Sequence, residues 1–168
     1  MEAIGFKEWA LVCEALGEGK QTVMIRKGGI AEGRAGFAFQ HREFFLFPTY
    51  FHEQLARVRL PGAVLPESRP GEIEIRYWAQ ISETRLLTDW EEVKALEPLH
   101  ILTESVVRER FDYGGAPGVH IAFVRVSRLK SRWRFPDTKS YGGCRSWVPL
   151  PAPPADLGLE SVGRGGLS

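Results

Sequence analysis

Residues 72–81, EIEIRYWAQI, alternate cleanly between apolar and polar side chains. Ile73, Ile75, Tyr77, Ala79 and Ile81 fall on one side, and Glu72, Glu74, Arg76 and Gln80 fall on the other with Trp78. A period of two predicts a half-buried strand. Residues 119–128, VHIAFVRVSR, are apolar on both faces and predict a strand near the middle of the sheet. Residues 39–47, FQHREFFLF, have strand chemistry, and Pro48 is expected to stop them. Residues 9–16, WALVCEAL, and 22–27, TVMIRK, flank GEGKQ and read as an opening β-hairpin, with Gly17 and Gly19 supplying the turn. The first arm, apolar almost all round, also fits a helix.

Two short helices are expected around 88–111. Thr88 followed by Glu91 forms a capping box, Trp90, Val93 and Leu96 make the buried stripe, and Pro98 ends it. Thr103 caps the second, which runs to about Phe111 and closes at Gly114-Gly115. Residues 60–71, LPGAVLPESRPG, read as a loop. From 149 the chain turns Pro- and Gly-rich, so 1–148 is expected to form one domain and 149–168 an extended, poorly ordered tail. The predicted class is α+β, with a β-rich mixed sheet opened by a hairpin.

The chain has 168 residues and an apolar fraction of 43%, enough for one core. No stretch approaches the roughly 18 unbroken apolar residues of a membrane span. The N-terminus lacks a signal-peptide pattern, and a cytoplasmic protein is expected. Cys13 and Cys144 are too few for a disulfide framework or a four-thiolate zinc site.

Net charge is +1, from 22 bases and 21 acids, which excludes a uniformly basic coat. The balance is local, however. Residues 67–107 carry four bases and nine acids, and residues 108–145 carry nine bases and three acids. An anion site is expected in the second stretch unless the first neutralises it. Arginine outnumbers lysine, 16 to 6, and its planar fork suits phosphate and carboxylate.

Three clusters hold candidate chemistry. In QHREFFLFPTYFHEQ, a strand over 39–47 would place His41 and Glu43 on one side, with His52 and Glu53 just beyond Pro48. Histidine beside carboxylate suits general acid/base work or metal ligation, or only a hydrogen-bonded sheet end. The spacing matches no standard zinc motif. Arg26-Lys27-Gly28-Gly29 could form a backbone nest for an anion, or an ordinary strand-ending turn; it is not a P-loop. The third cluster is YGGCRSW, 141–147, preceded by Arg128, Lys130, Arg132, Trp133 and Arg134. Arginine interleaved with aromatics can stack on bases and contact phosphates, or Trp133 and Trp147 can be core anchors. Glu74-Ile75-Arg76 mimics the E-x-K of restriction-type nucleases with Arg for Lys, but no aspartate precedes Asp89 to complete a metal site. The residues specify no cofactor and no metal.

FKEWALVCEALGEGKQTVMIRKGGI, HREFFLFPTYFHEQ and YGGCRSWVPL, in this order, resemble domain-of-unknown-function family 1802 over roughly residues 5–150. The elements RKGGI, FPTY and C-x-S-W carry the resemblance. It implies a prokaryotic protein and, through the family's domain context, a DNA restriction-type system. Gly19-Lys20-Gln21-Thr22-Val23-Met24-Ile25-Arg26 is similar to the G-x-K-x-x-E-x-R signature of ASCH domains, with Lys20 one residue early and Met24 in place of the glutamate. That similarity implies a small PUA-like barrel. The expected function is then a nucleic-acid-binding or adaptor module with DNA or RNA as partner. Lys27, Arg42, Tyr50, Arg128, Lys130, Arg132, Arg134, Arg145 and Trp147 are its expected contacts. The alternatives are a hydrolase of nucleic acid or nucleotides centred on His41, Glu43, His52 and Glu53, and a protein-interaction domain.

Overall fold

The computed structural model describes residues 3–27 and 39–162. Its elements follow the chain as β1 (Ile4–Trp9), α1 (Ala10–Gly17), β2 (Val23–Arg26), β3 (Glu43–Thr49), a 3-10 turn (His52–Arg57), β4 (Glu72–Leu87), α2 (Trp90–Lys94), α3 (Glu104–Asp112), β5 (Val119–Pro136), β6 (Trp147–Pro149) and β7 (Leu159–Ser161). The strands form one curled mixed sheet in the order β2-β5-β4-β3-β1-β6, with β7 added to β5. β1 runs parallel to β3 and antiparallel to β6. The curl brings the two ends of this order together. Arg26 at the end of β2 donates from Nη2 to the Ser146 hydroxyl, one residue before β6, at 2.8 Å.

The α+β class and the two short helices near 88–111 are as expected. The opening hairpin is not. WALVCEAL is the helix α1, and β1 precedes it. Seven of the eight helical residues are buried, which explains why the apolar pattern has no helical stripe: every face meets the core. No local side chain caps α1. Instead the Leu11 amide donates to Oε1 of Gln54, at 3.0 Å and 43 residues away, while Gln54 donates to the Thr49 carbonyl. A remote glutamine thus satisfies one of the donors that a helix start leaves open.

Other boundaries also move. The strand expected at 39–47 occupies Glu43–Thr49, so His41 and Arg42 lie before it. Pro48 sits inside it. β4 pairs only with Glu43–Phe45, so the missing amide falls beyond that ladder. Asp89, not Thr88, caps α2, accepting from the Glu91 amide at 3.1 Å. Thr103 caps α3 as expected. Gly114 and Gly115 follow it with φ of +75° and +79°, a backbone that glycine adopts without strain. The Pro-rich segment does not trail away. Leu159–Ser161 returns to the sheet and pairs with Ser127–Leu129 of β5, and Leu157 packs on the smaller of two cores. Residues 163–168 of the expected tail, and the Gly28-Gly29 half of the expected nest, lie outside the described residues.

The five apolar residues of 72–81 are all buried, but in two separate cores. Tyr77, Ala79 and Ile81 join the main core between the sheet and α1, α2 and α3. Ile73 and Ile75 join the smaller core with Phe47, Trp133, Phe135, Val148 and Leu150. A register shift against β5 between Ile75 and Tyr77 separates them.

His100, between the 90–99 segment and α3, is 6% exposed. Its Nδ1 accepts from the Leu102 amide at 3.1 Å. Burial, then Arg59 and Arg110, push its pKa down to about 4 from 6.5. The unfolded chain therefore takes a proton between those values that the folded chain refuses, and stability falls as pH drops through this window. Unfolding in urea at pH 7 and pH 5 should show a loss of about 2 kcal/mol from this group. His100→Asn, which keeps an acceptor, should remove that part of the slope. An unchanged slope would refute the assignment.

Candidate functional site

Where the curled sheet fails to close, α3 lies across the gap. Between them is a cavity of about 290 Å³, lined by Trp9, Arg26, Lys27, Arg57, Val106, Glu109, Arg110, Tyr113, Cys144 and Ser146. Among the described residues, four bases and one acid thus face one space. They come from the ends of β1 and β2, the 3-10 turn, α3 and the segment before β6.

Each base is held differently. Arg110 donates from Nη1 to the Ile25 carbonyl at 2.7 Å, satisfying the outer side of edge strand β2. Its guanidinium lies over the Trp9 ring, 4.9 Å from the centroid, and Trp9 is braced edge-on by Phe51. Burial pushes the Arg110 pKa down to about 10; Glu8 opposes the shift and Arg26 adds to it. Arg110 stays charged, in surroundings that are largely desolvated. Glu8, 2% exposed, lies behind it and accepts from the Trp9 amide at 2.9 Å. Arg26 lies over the Phe6 ring at 4.8 Å and donates to Ser146. Arg57 is exposed, and its guanidinium makes no hydrogen bond or ion pair among the described residues.

Lys27 has a different task. Its ammonium donates to the carbonyls of Phe111 and Gly118, at 2.9 and 2.8 Å, and to that of Ala116. It ties β2 to the C-terminal end of α3, where carbonyls lack helical partners. Burial lowers its pKa, against the pull of Asp112.

The remaining expected contacts are dispersed. Arg132 and Arg134 converge with Arg76 on Glu74, at 3.6, 3.3 and 3.1 Å. Together with Tyr50, Arg69, Glu67 and Glu72 they line a second cavity, of about 230 Å³, in which acids nearly match bases. Burial raises the Tyr50 pKa. Glu74 and Arg76 of Glu74-Ile75-Arg76 thus belong to an ion-pair network with Arg132 and Arg134. Arg128 and Lys130 are exposed on β5, with no ion pair among the described residues. Arg42 is exposed ahead of β3. Arg145 donates to the Ser140 carbonyl, close to the cavity wall at Cys144. Trp147 is an anchor of the main core, edge-on to Phe6 and Phe44 at 4.7 and 5.2 Å. Its Nε1 is buried without a partner among the described residues.

His41 stacks edge-on against Trp147 at 4.9 Å. Glu43 is exposed and accepts from Gln80 at 3.3 Å. His52 and Glu53 are exposed on the 3-10 turn. None of the four lines either cavity. Among the described residues no group of three His, Cys, Asp or Glu is placed to hold a metal ion.

The acidic and basic stretches therefore meet only in part. Glu74 engages Arg132 and Arg134, while Arg108 is paired within its own segment to Asp112 at 2.8 Å. The strongest basic site draws on residues scattered from 9 to 146. Arg57 and Arg110 belong to no motif. The one signal that could have found Arg110 is its place near the end of a capped helix, where a base is ordinarily explained by the dipole.

The family model described as Domain of unknown function (DUF1802) matches residues 5–162. Among solved structures, the ASCH protein from Zymomonas mobilis is similar with a TM-score of 0.53 and 13% identity, over 89% of this chain and 87% of that one. Its serine-to-alanine mutant gives 0.54 and 13%, over 89% and 88%. Its tyrosine-to-phenylalanine mutant gives 0.51 and 15%, over 90% and 91%. At this identity the likeness shows the fold, the PUA-like half-barrel of ASCH domains. Comparison with curated proteins finds no match. No helix among the described residues is long and apolar enough to cross a membrane.

Proposed function

The chain belongs to the DUF1802 family, and from that premise we propose that it is a nucleic-acid-binding module whose contact is the basic cavity beneath α3. One observation carries the reading: arginines from three separate elements, Arg26, Arg57 and Arg110, line one cavity whose described wall holds a single acidic residue. Such a surplus in partly desolvated surroundings attracts phosphate strongly. Arginine forks match phosphate oxygens, and the half-exposed Tyr113 ring on the wall offers a face for a base. The link to a restriction-type system rests on the domain context of the family.

Fluorescence anisotropy with ten-nucleotide single-stranded RNA and DNA at low salt tests this. Binding should weaken steeply with salt. Arg57→Ala should weaken it about tenfold and reduce the log–log salt slope by roughly 0.7, the loss of one phosphate contact on a single strand. Arg132→Ala, which alters only the Glu74 network, should leave both unchanged. Absence of binding to either polymer, or equal loss in both variants, would overturn the proposal.

A further inference from the structure

We infer that the cavity takes a terminal phosphate, a phosphomonoester dianion, in preference to the phosphodiester within a strand. The inference rests on the reading above and concerns the same site.

Charge is the first support. With Arg26 set aside, Lys27, Arg57 and Arg110 against Glu109 leave a surplus of two positive charges among the described wall residues. Adding Arg26 on the wall and Glu8 behind Arg110, one of each sign, leaves that surplus unchanged. Asp112, the remaining acid that acts on Lys27, is already paired with Arg108. A phosphomonoester carries about two negative charges near neutral pH, whereas each phosphodiester carries one. The monoester neutralises the surplus; the diester leaves half of it buried and unmatched, which desolvation penalises.

Donor arrangement is the second. Arg26, Arg57 and Arg110 line the one cavity from β2, the 3-10 turn and α3. A terminal phosphate presents three acceptor oxygens and an internal one presents two. Arg110 spends only Nη1 on the Ile25 carbonyl, and Arg57 spends none of its donors among the described residues. Lys27 is committed to three carbonyls and contributes charge, not a hydrogen bond.

Size is the third. About 290 Å³ lies just under the roughly 300–1,000 Å³ range of ligand cavities, suited to one nucleotide and its phosphate at most.

The test uses the full chain and one ten-nucleotide RNA sequence in three forms: 5′-phosphorylated, 3′-phosphorylated, and hydroxyl at both ends. Uridine monophosphate serves as a free-nucleotide competitor. One phosphorylated form should bind at least tenfold tighter than the hydroxyl form, and uridine monophosphate should displace it. Arg57→Ala, a change at an exposed residue, should collapse the preference to less than threefold. Equal affinity for all three RNAs overturns the inference and leaves nucleic-acid binding standing. Binding of uridine monophosphate without any RNA keeps the monoester and assigns it to a free nucleotide, overturning the polymer reading. No binding by any probe overturns both.

Discussion

Gly17→Ala should destabilise the protein by about 3 kcal/mol or more, at the upper end of what overpacking inflicts on a core. A Cβ at this position would stand 2.2 Å from Cε1 and 2.3 Å from Cζ of Tyr77. Neither neighbour can yield cheaply. Tyr77 is 5% exposed in the main core, and its hydroxyl donates to Oε2 of Glu14 at 2.8 Å. Glu14 in turn holds Arg76 at 3.0 Å. Moving the ring therefore breaks a hydrogen bond and disturbs an ion pair in addition to straining the contact. For a chain of this length the midpoint of thermal unfolding should fall by about 10 °C. Urea and thermal unfolding measure the effect. Tyr77→Leu in the same background should recover part of it by making room, despite losing the hydroxyl. A wild-type midpoint in Gly17→Ala would refute the packing account.

Phe6→Ala is the second change with a large expected effect, about 3–5 kcal/mol. Phe6 is fully buried. Its ring meets Phe39, Phe44 and Trp147 at 5.8, 5.3 and 4.7 Å, and Arg26 lies over it. Truncation leaves a cavity in the middle of an aromatic cluster and takes away the platform of a cavity-lining arginine. Phe6→Leu separates these roles. It restores most of the volume, so most of the stability should return, while the cation–π contact, worth about 0.5–2 kcal/mol, does not. If Phe6→Leu binds single-stranded RNA as tightly as wild type, the ring does not help position Arg26.

Strands β4 and β5 were legible from residues 72–81 and 119–128 because each lies against a core on an alternating or two-sided pattern that no helix shares. Thr103 was legible as a cap because its contact with the Val106 amide is local. α1 was not, since a helix buried on nearly every face has no stripe, and its N-terminal partner is Gln54, far along the chain. β7 was hidden for another reason: proline and glycine suggest a loose tail, but only three residues of pairing and Leu157 in the smaller core are needed to return it to the sheet. The cavity was hardest of all. Sequence grouping favoured the dense runs at 40–54 and 125–147, whose members disperse into stacking, ion pairs and core. The convergent bases are single residues on separate elements, and only the curl of the sheet makes them neighbours. Segment charge grouped Arg110 with Arg132 and Arg134, which are engaged by Glu74, and so did not single it out.

The placement of β1 between β3 and β6 has a consequence for how the protein is made. β1 acquires its last neighbour only when residues 147–149 follow. Until then β1 has an unpaired edge, and the cavity lacks the wall that includes Ser146. Contacts this distant in sequence form slowly and leave strand edges exposed in the meantime. The cavity beneath α3 is therefore complete only once residue 146 has been made, and a chain released before that lacks this wall.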